Sequence, residues 1–146
     1  MTVNADITIF NARISNATRS EVFIPTTIKG VSYYESEGVN TNDGVWTDRS
    51  VYKLRVPYIG AEIQESRVYL PEKRYRTAES AEGYWSIREG DFLLLTEFIG
   101  EKESYTSKEI SAIAEELGLK PITVTEYADN TVRGSDTVKH WRIGGA

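Results

Sequence analysis

Only one stretch of this chain repeats its apolar residues with a helical period. Ile110, Ile113, Ala114 and Leu117 recur at i, i+3, i+4 and i+7, behind a capping box made by Thr106 and Glu109. Gly118 stands where a helix ends in a left-handed residue, and Pro121 blocks continuation. One helix is therefore expected at about 107–117. A chain of 146 residues with a single short helix must bury its apolar surface with strands, so the helix is read as a plug on a β core.

The remaining apolar residues agree with that reading. From Val51 to Tyr58, Tyr52, Leu54, Val56 and Tyr58 share one face while Lys53 and Arg55 take the other, the alternation of a half-buried strand. Ile7–Phe10 is a short β-type run closed by the polar stretch from Asn11 to Ser20. Glu21–Tyr34 is rich in β-branched and aromatic residues, with Pro25 and Gly30 as bulge or edge positions, and is one long bent strand or two that meet there. Short strands are expected at Val68–Leu70 and Tyr84–Ile87. A turn at Arg88–Asp91 leads into an apolar strand, Phe92–Phe98, buried on both faces. Ile122–Tyr127 and Thr137–Ile143 form a closing hairpin over 122–143. The fold class is mainly β, a small antiparallel β-barrel or sandwich with one short α-helix, in a single domain over 1–146. Residues 35–50 lose all periodicity and are read as a long loop, although Asp43–Gly44 would also suit a tight hairpin.

The inventory of reactive side chains is short. There is no cysteine and one histidine, His140, so thiol nucleophiles, disulfides and cysteine-based zinc sites are excluded. Ser135, Asp136 and His140 lie close in sequence, but a triad is a matter of geometry, and His140 between Lys139 and Trp141 reads as a strand or interface residue. Glu115–Glu116 is a solvated helix end, and Asn40, Asn42, Asp43 and Asp48 lack calcium-loop spacing. Neither catalysis, a metal nor a cofactor is expected. No run approaches the ~20 apolar residues that cross a bilayer, and Met1–Asp6 lacks the basic and apolar parts of a signal peptide, so no membrane partner is expected.

With net charge −5, the chain is not a uniformly basic nucleic-acid binder. Glu72–Lys73–Arg74–Tyr75–Arg76 nonetheless mixes bases with an aromatic ring in the way of single-strand binders. The alternative is a charged hairpin tip beside an edge strand. Charge is also unevenly spread. Residues 35–50 carry Glu35, Glu37, Asp43 and Asp48 against Arg49, a local net of −3, and residues 131–146 carry Arg133, Lys139 and Arg142 against Asp136, a local net of +2. An acidic loop and a basic hairpin on one chain suit head-to-tail association, with ordinary surface scatter as the plain alternative.

The order of these segments resembles a known group of proteins. It runs from Asp6–Asn11 through Ile24–Tyr33, a long polar loop, Arg55–Val56–Pro57, the strand of Trp85 and Glu89–Phe92 to Ile122–Asn130 and Val138–Gly145. This resembles small proteins encoded among the head–tail genes of temperate tailed phages of Gram-positive bacteria, and more distantly the head-completion or "stopper" proteins of long-tailed phages. The resemblance implies a structural virion protein of the neck, made in the host bacterial cytoplasm. It would form a homo-oligomeric ring, twelve-fold or alternatively six-fold, between portal or adaptor and tail or tail-terminator proteins. Double-stranded DNA would pass through the lumen. Glu35, Glu37, Asp43, Val45, Trp46 and Asp48 would then belong to a channel loop that gates or retains packaged DNA. Arg133, Lys139, His140, Trp141 and Arg142 would belong to a ring or partner interface. A tail-terminator or tail-completion protein is the first alternative, and a nucleic-acid-binding β-barrel module that uses Lys73–Arg76 the second.

Overall fold

Six consecutive residues, Ile7–Ala12, are buried, which places one strand between two packed layers. The computed structural model describes residues 3–15, 17–35, 51–135 and 138–146. In chain order its elements are β1 (Ala5–Ile14), β2 (Glu21–Glu35), β3 (Tyr52–Pro57), β4 (Glu62–Ile63), β5 (Val68–Tyr69), α1 (Glu72–Thr77), β6 (Tyr84–Trp85), β7 (Phe92–Leu94), α2 (Ser107–Glu116), β8 (Ile122–Asn130) and β9 (His140–Gly145). The hydrogen-bonded order β1–β7–β8–β9–β3–β2 returns to β1, giving a six-stranded antiparallel β-barrel. β4 pairs with β2 at Ile28 and Lys29, while β5 and β6 form a separate parallel pair.

Period-two alternation divides the strands between two cores. Ile7, Ile9, Ile28, Leu54, Val56, Leu93, Val124 and Ile143 fill the barrel. An aromatic cluster joins them. Trp85 and Trp141 meet edge to face at 5.1 Å, and Tyr69 packs on both at 5.1 and 5.3 Å. On the opposite face of β1, Phe10 and Ala12 pack with Phe23, Leu94 and Tyr105 beneath Ile110 and Ala114 of α2. The helix is thus the expected plug, set on the barrel wall. Its start carries the Thr106–Glu109 capping box. Its end carries a left-handed Gly118 and a bond from the Leu119 amide to the Ala114 carbonyl, the pattern that satisfies the last turn.

Several elements differ from the sequence expectation, each for a visible reason. β1 does not stop at Phe10, because Asn11 stays in the strand and satisfies its amide inside the protein. β2 is one continuous strand whose register with β1 shifts where Ala5 and Asp6 face Val31 and Lys29, at the left-handed Gly30 (φ +83°). The strand expected over Phe92–Phe98 ends at Leu94. Thr8 draws the next segment away by donating to the Thr96 carbonyl (2.8 Å) and accepting from the Phe98 amide (3.0 Å). Glu72–Arg76 lies in the helix α1, not at a hairpin tip, and Pro71 immediately precedes the helix.

A buried polar knot ties β1 to the segment that follows β6. The Asn11 amide donates to the Ser86 carbonyl and to Asp91 Oδ2 (2.9 Å), and Asn11 Oδ1 accepts from the Ser86 amide (3.0 Å). Asp91 Oδ1 accepts from the Ala12 amide (3.0 Å). Asp91 is 1% exposed, and its burial pushes the carboxyl up to about 7 against the opposing pull of Asn11, the Ala12 amide and Arg88. The chain end is just as tightly placed. Gly145 lies between Val124 and Tyr52, where a Cβ would meet Ile122 Cγ2 at 2.5 Å and the Thr123 carbonyl oxygen at 2.8 Å.

Two outcomes follow from these contacts. Asp91→Asn sets an NH2 against one of two donors, the Asn11 amide held by its Ser86 bonds or the Ala12 backbone amide, and should cost about 1–3 kcal/mol in urea unfolding. The folded protein holds the Asp91 proton more tightly than the unfolded chain (about 7 against 3.8), so its stabilising contribution is full below pH 3.8 and is lost as pH rises through about 7. Wild type should therefore lose more stability between pH 5 and pH 8 than Asp91→Asn does. Gly145→Ala should destabilise by about 1–3 kcal/mol, because the Thr123 carbonyl cannot move without disturbing β8.

Candidate functional site

The exposed face of β8, β9 and β3 carries four charged residues, Lys53, Arg55, Glu126 and Arg142. Leu54, Val56, Trp141 and Ile143 point into the core, so the intervening residues Lys53, Arg55 and Arg142 point outward. Lys53 and Glu126 form an ion pair at 2.9 Å across the intervening β9, where Gly144 has no side chain to separate them. Two pairs along, beyond the inward-facing Leu54 and Ile143, Arg55 and Arg142 are direct Cα partners on β3 and β9, flanked in the same row by Ser32 and Ala128. Both arginines are exposed, and neither forms an ion pair among the described residues. Like charges placed directly opposite repel, so this pair works against the sheet that carries it.

The other residues expected at an interface are dispersed around this face. Arg133 is exposed in the turn between β8 and β9. The Lys139 ammonium lies 5.5 Å from the Tyr58 ring centroid, a cation–π distance. His140 Nδ1 lies 2.8 Å from the Val138 carbonyl oxygen, which only accepts, so Nδ1 carries the hydrogen, and Nε2 accepts from the Asn130 amide at 3.3 Å. Trp141 departs from the expectation. It is 7% exposed and packed against Trp85, Tyr69 and Tyr58, so period two sends it inward while its neighbours His140 and Arg142 face out.

Of the expected channel loop, Glu35 ends β2 and accepts from the Tyr33 hydroxyl at 2.9 Å. Partial burial and the adjacent Glu35 carboxylate raise the Tyr33 phenol. Glu37, Asp43, Val45, Trp46 and Asp48, with the Asp43–Gly44 hairpin, lie outside the described residues. What the fold does show is where that connection is anchored: Glu35 and Tyr52 are Cα partners, so residues 36–51 leave and rejoin the barrel at adjacent positions.

The basic segment Glu72–Arg76 does not present a stacking platform. Tyr75 is 2% exposed, covered by the Arg13 guanidinium at 5.4 Å, and Arg13 itself donates to the Tyr75 and Ala78 carbonyls. Glu72 is engaged by Arg76 and Arg88 and accepts from the Tyr127 hydroxyl. Helical geometry buries the one aromatic that a nucleotide base would need. Arg55 was legible in the sequence only as part of a wet strand face; its juxtaposition with Arg142 depends on strand register.

The chain belongs to a family of unknown function, DUF6751, whose model matches residues 1–146. No curated protein and no solved structure matches it.

The repulsion between the two arginines sets a direction for mutagenesis. Arg142→Glu converts a like-charged cross-strand pair into an opposite-charged one and should stabilise the protein by about 0.2–1 kcal/mol. Thermal unfolding at low salt reads this, and the gain should shrink as salt rises.

Proposed function

We propose that this chain is a structural component of the neck of a tailed phage, a stopper-like subunit that forms a ring between head and tail. The reading rests on the resemblance of the whole chain, from Asp6 to Gly145, to proteins encoded among head–tail genes. The observation that carries it further is the anchoring of residues 36–51 at the paired positions Glu35 and Tyr52 of a closed six-stranded barrel. A barrel of this kind is stable without a partner strand at its wall, and it carries a long connection from one place on its surface. A subunit that contributes one segment to a shared lumen needs that segment held at one place, and the Glu35–Tyr52 pair would provide the hold. The charged face of β3, β8 and β9 supplies polar contact surface of the kind that assembling subunits use for specificity.

The test is made in a phage that encodes this chain. Particles produced without it should separate into heads and unattached tails under the electron microscope, and supplying the purified protein should rejoin them. Particles that keep tails and genome in its absence would overturn the reading.

A further inference from the structure

We infer that Arg55 and Arg142 form a docking face for a second copy of this chain, and that the acidic cavity walled by Glu82, Glu101 and Glu103 is what they dock onto. The inference deepens the proposed ring by naming its contact, and rests on that reading for its biological setting. The first observation is the arginine pair itself. Lys53 is neutralised by Glu126 across Gly144, yet Arg55 and Arg142, the next outward-facing pair along the same strands, face each other with small residues on either side. An unpartnered like-charged pair on a sheet face is relieved by an incoming anionic surface, and Ser32 and Ala128 leave room for one.

The second observation lies elsewhere on the same chain. A cavity of about 530 Å3 opens between the segments around Gln64–Arg67, Ser80–Glu82 and Phe98–Glu103. Within its wall Arg67 is committed to Glu65 and to the Pro25 carbonyl, and Lys102 to Glu109. Glu82, Glu101 and Glu103 are exposed and form no ion pair among the described residues. Ile99, 81% exposed at the same cavity, adds an apolar contact for whatever enters. The cavity and the arginine face share no residue, so a contact between them is head-to-tail. Repeated by one rotation operator, such a contact generates a ring if it closes and a filament if it does not. A phosphate backbone is the less favoured occupant, because a chain of net charge −5 repels a polyanion at long range while both complementary faces are present in every copy.

Because the chain has no cysteine, disulfides form only between thiols that are introduced. Ala128 is the cross-strand partner of Arg142, and Ala81 lines the cavity beside Glu82. The purified full-length chain carrying Ala128→Cys and Ala81→Cys should give a ladder of covalent multimers on mild oxidation, whereas either substitution alone should stop at dimers. Adding Arg142→Glu should cut the ladder roughly tenfold, the scale of loss for a close interfacial charge pair. Its melting temperature should stay the same or rise, which separates lost docking from lost folding. Exchanging the charges on both faces, with Arg55→Glu and Arg142→Glu against Glu82→Arg, Glu101→Arg and Glu103→Arg, should restore the ladder. A ladder that never forms, or that ignores Arg142→Glu, would overturn the contact. So would retention of a duplex oligonucleotide that depends on Arg55 and Arg142 without any ladder. If the ladder behaves as expected while particles lacking the protein stay intact, the contact stands and the neck reading falls. If the neck reading holds without a ladder, only the contact falls.

Discussion

Closure of the barrel depends on the pairing of β1 with β2. Ten residues of β1 are held in register against β2, from Ala5 opposite Val31 to Ile14 opposite Glu21. β1 thereby becomes an interior strand with β2 on one side and β7 on the other, and it is packed on both faces. A two-sided strand cannot slip by one residue without exchanging its barrel-facing set, Ile7 and Ile9, for its helix-facing set, Phe10 and Ala12. The register therefore specifies both cores at once. The open part of the outer β2 edge is covered as well: the Phe23 backbone pairs with Tyr105, the Thr27 amide donates to Gln64, and Arg67 donates to the Pro25 carbonyl.

Polar groups complete what the apolar pattern begins. Thr8 and Thr27 share a buried contact at 3.2 Å and divert the chain after Leu94. Asn11 and Asp91 join β1 to the turn before β7, and the Ser86 hydroxyl donates to the Leu70 carbonyl, which carries the network on to the chain after β5. Each of these groups satisfies a backbone amide or carbonyl that the short strands leave unpaired. The insert β5–α1–β6 thus stays attached through specific hydrogen bonds as well as through Tyr69 against Trp85 and Trp141.

On the surface, strand register places opposite charges together in one outward-facing row and like charges in the next outward-facing row. Gly144 allows Lys53 to reach Glu126, and Arg142 in its own row faces Arg55. A sheet stabilised for itself alone would avoid the second arrangement. Its presence beside a satisfied ion pair sets this face apart from the basic turn at Arg133.

Local pattern determined much of this protein by itself. The capped helix from Thr106, the alternation of Tyr52–Pro57, the closing hairpin, the bulge at Gly30 and the mainly β class all follow from spacing and residue type, because each depends on neighbours within a few residues. Tertiary structure decided the rest. The extension of β1 through Asn11 depends on Ser86 and Asp91, which lie far along the chain, and the early end of β7 depends on Thr8. The shape of Glu72–Arg76 was ambiguous because a six-residue helix carries too little periodicity to announce itself, and Tyr75 became core only when Arg13 and β1 packed against it. The facing of Arg55 and Arg142 is likewise a property of register between β3 and β9, which alternation within either strand leaves open. Alternation tells which residues of a strand face outward, and only the assembled sheet tells which of them meet.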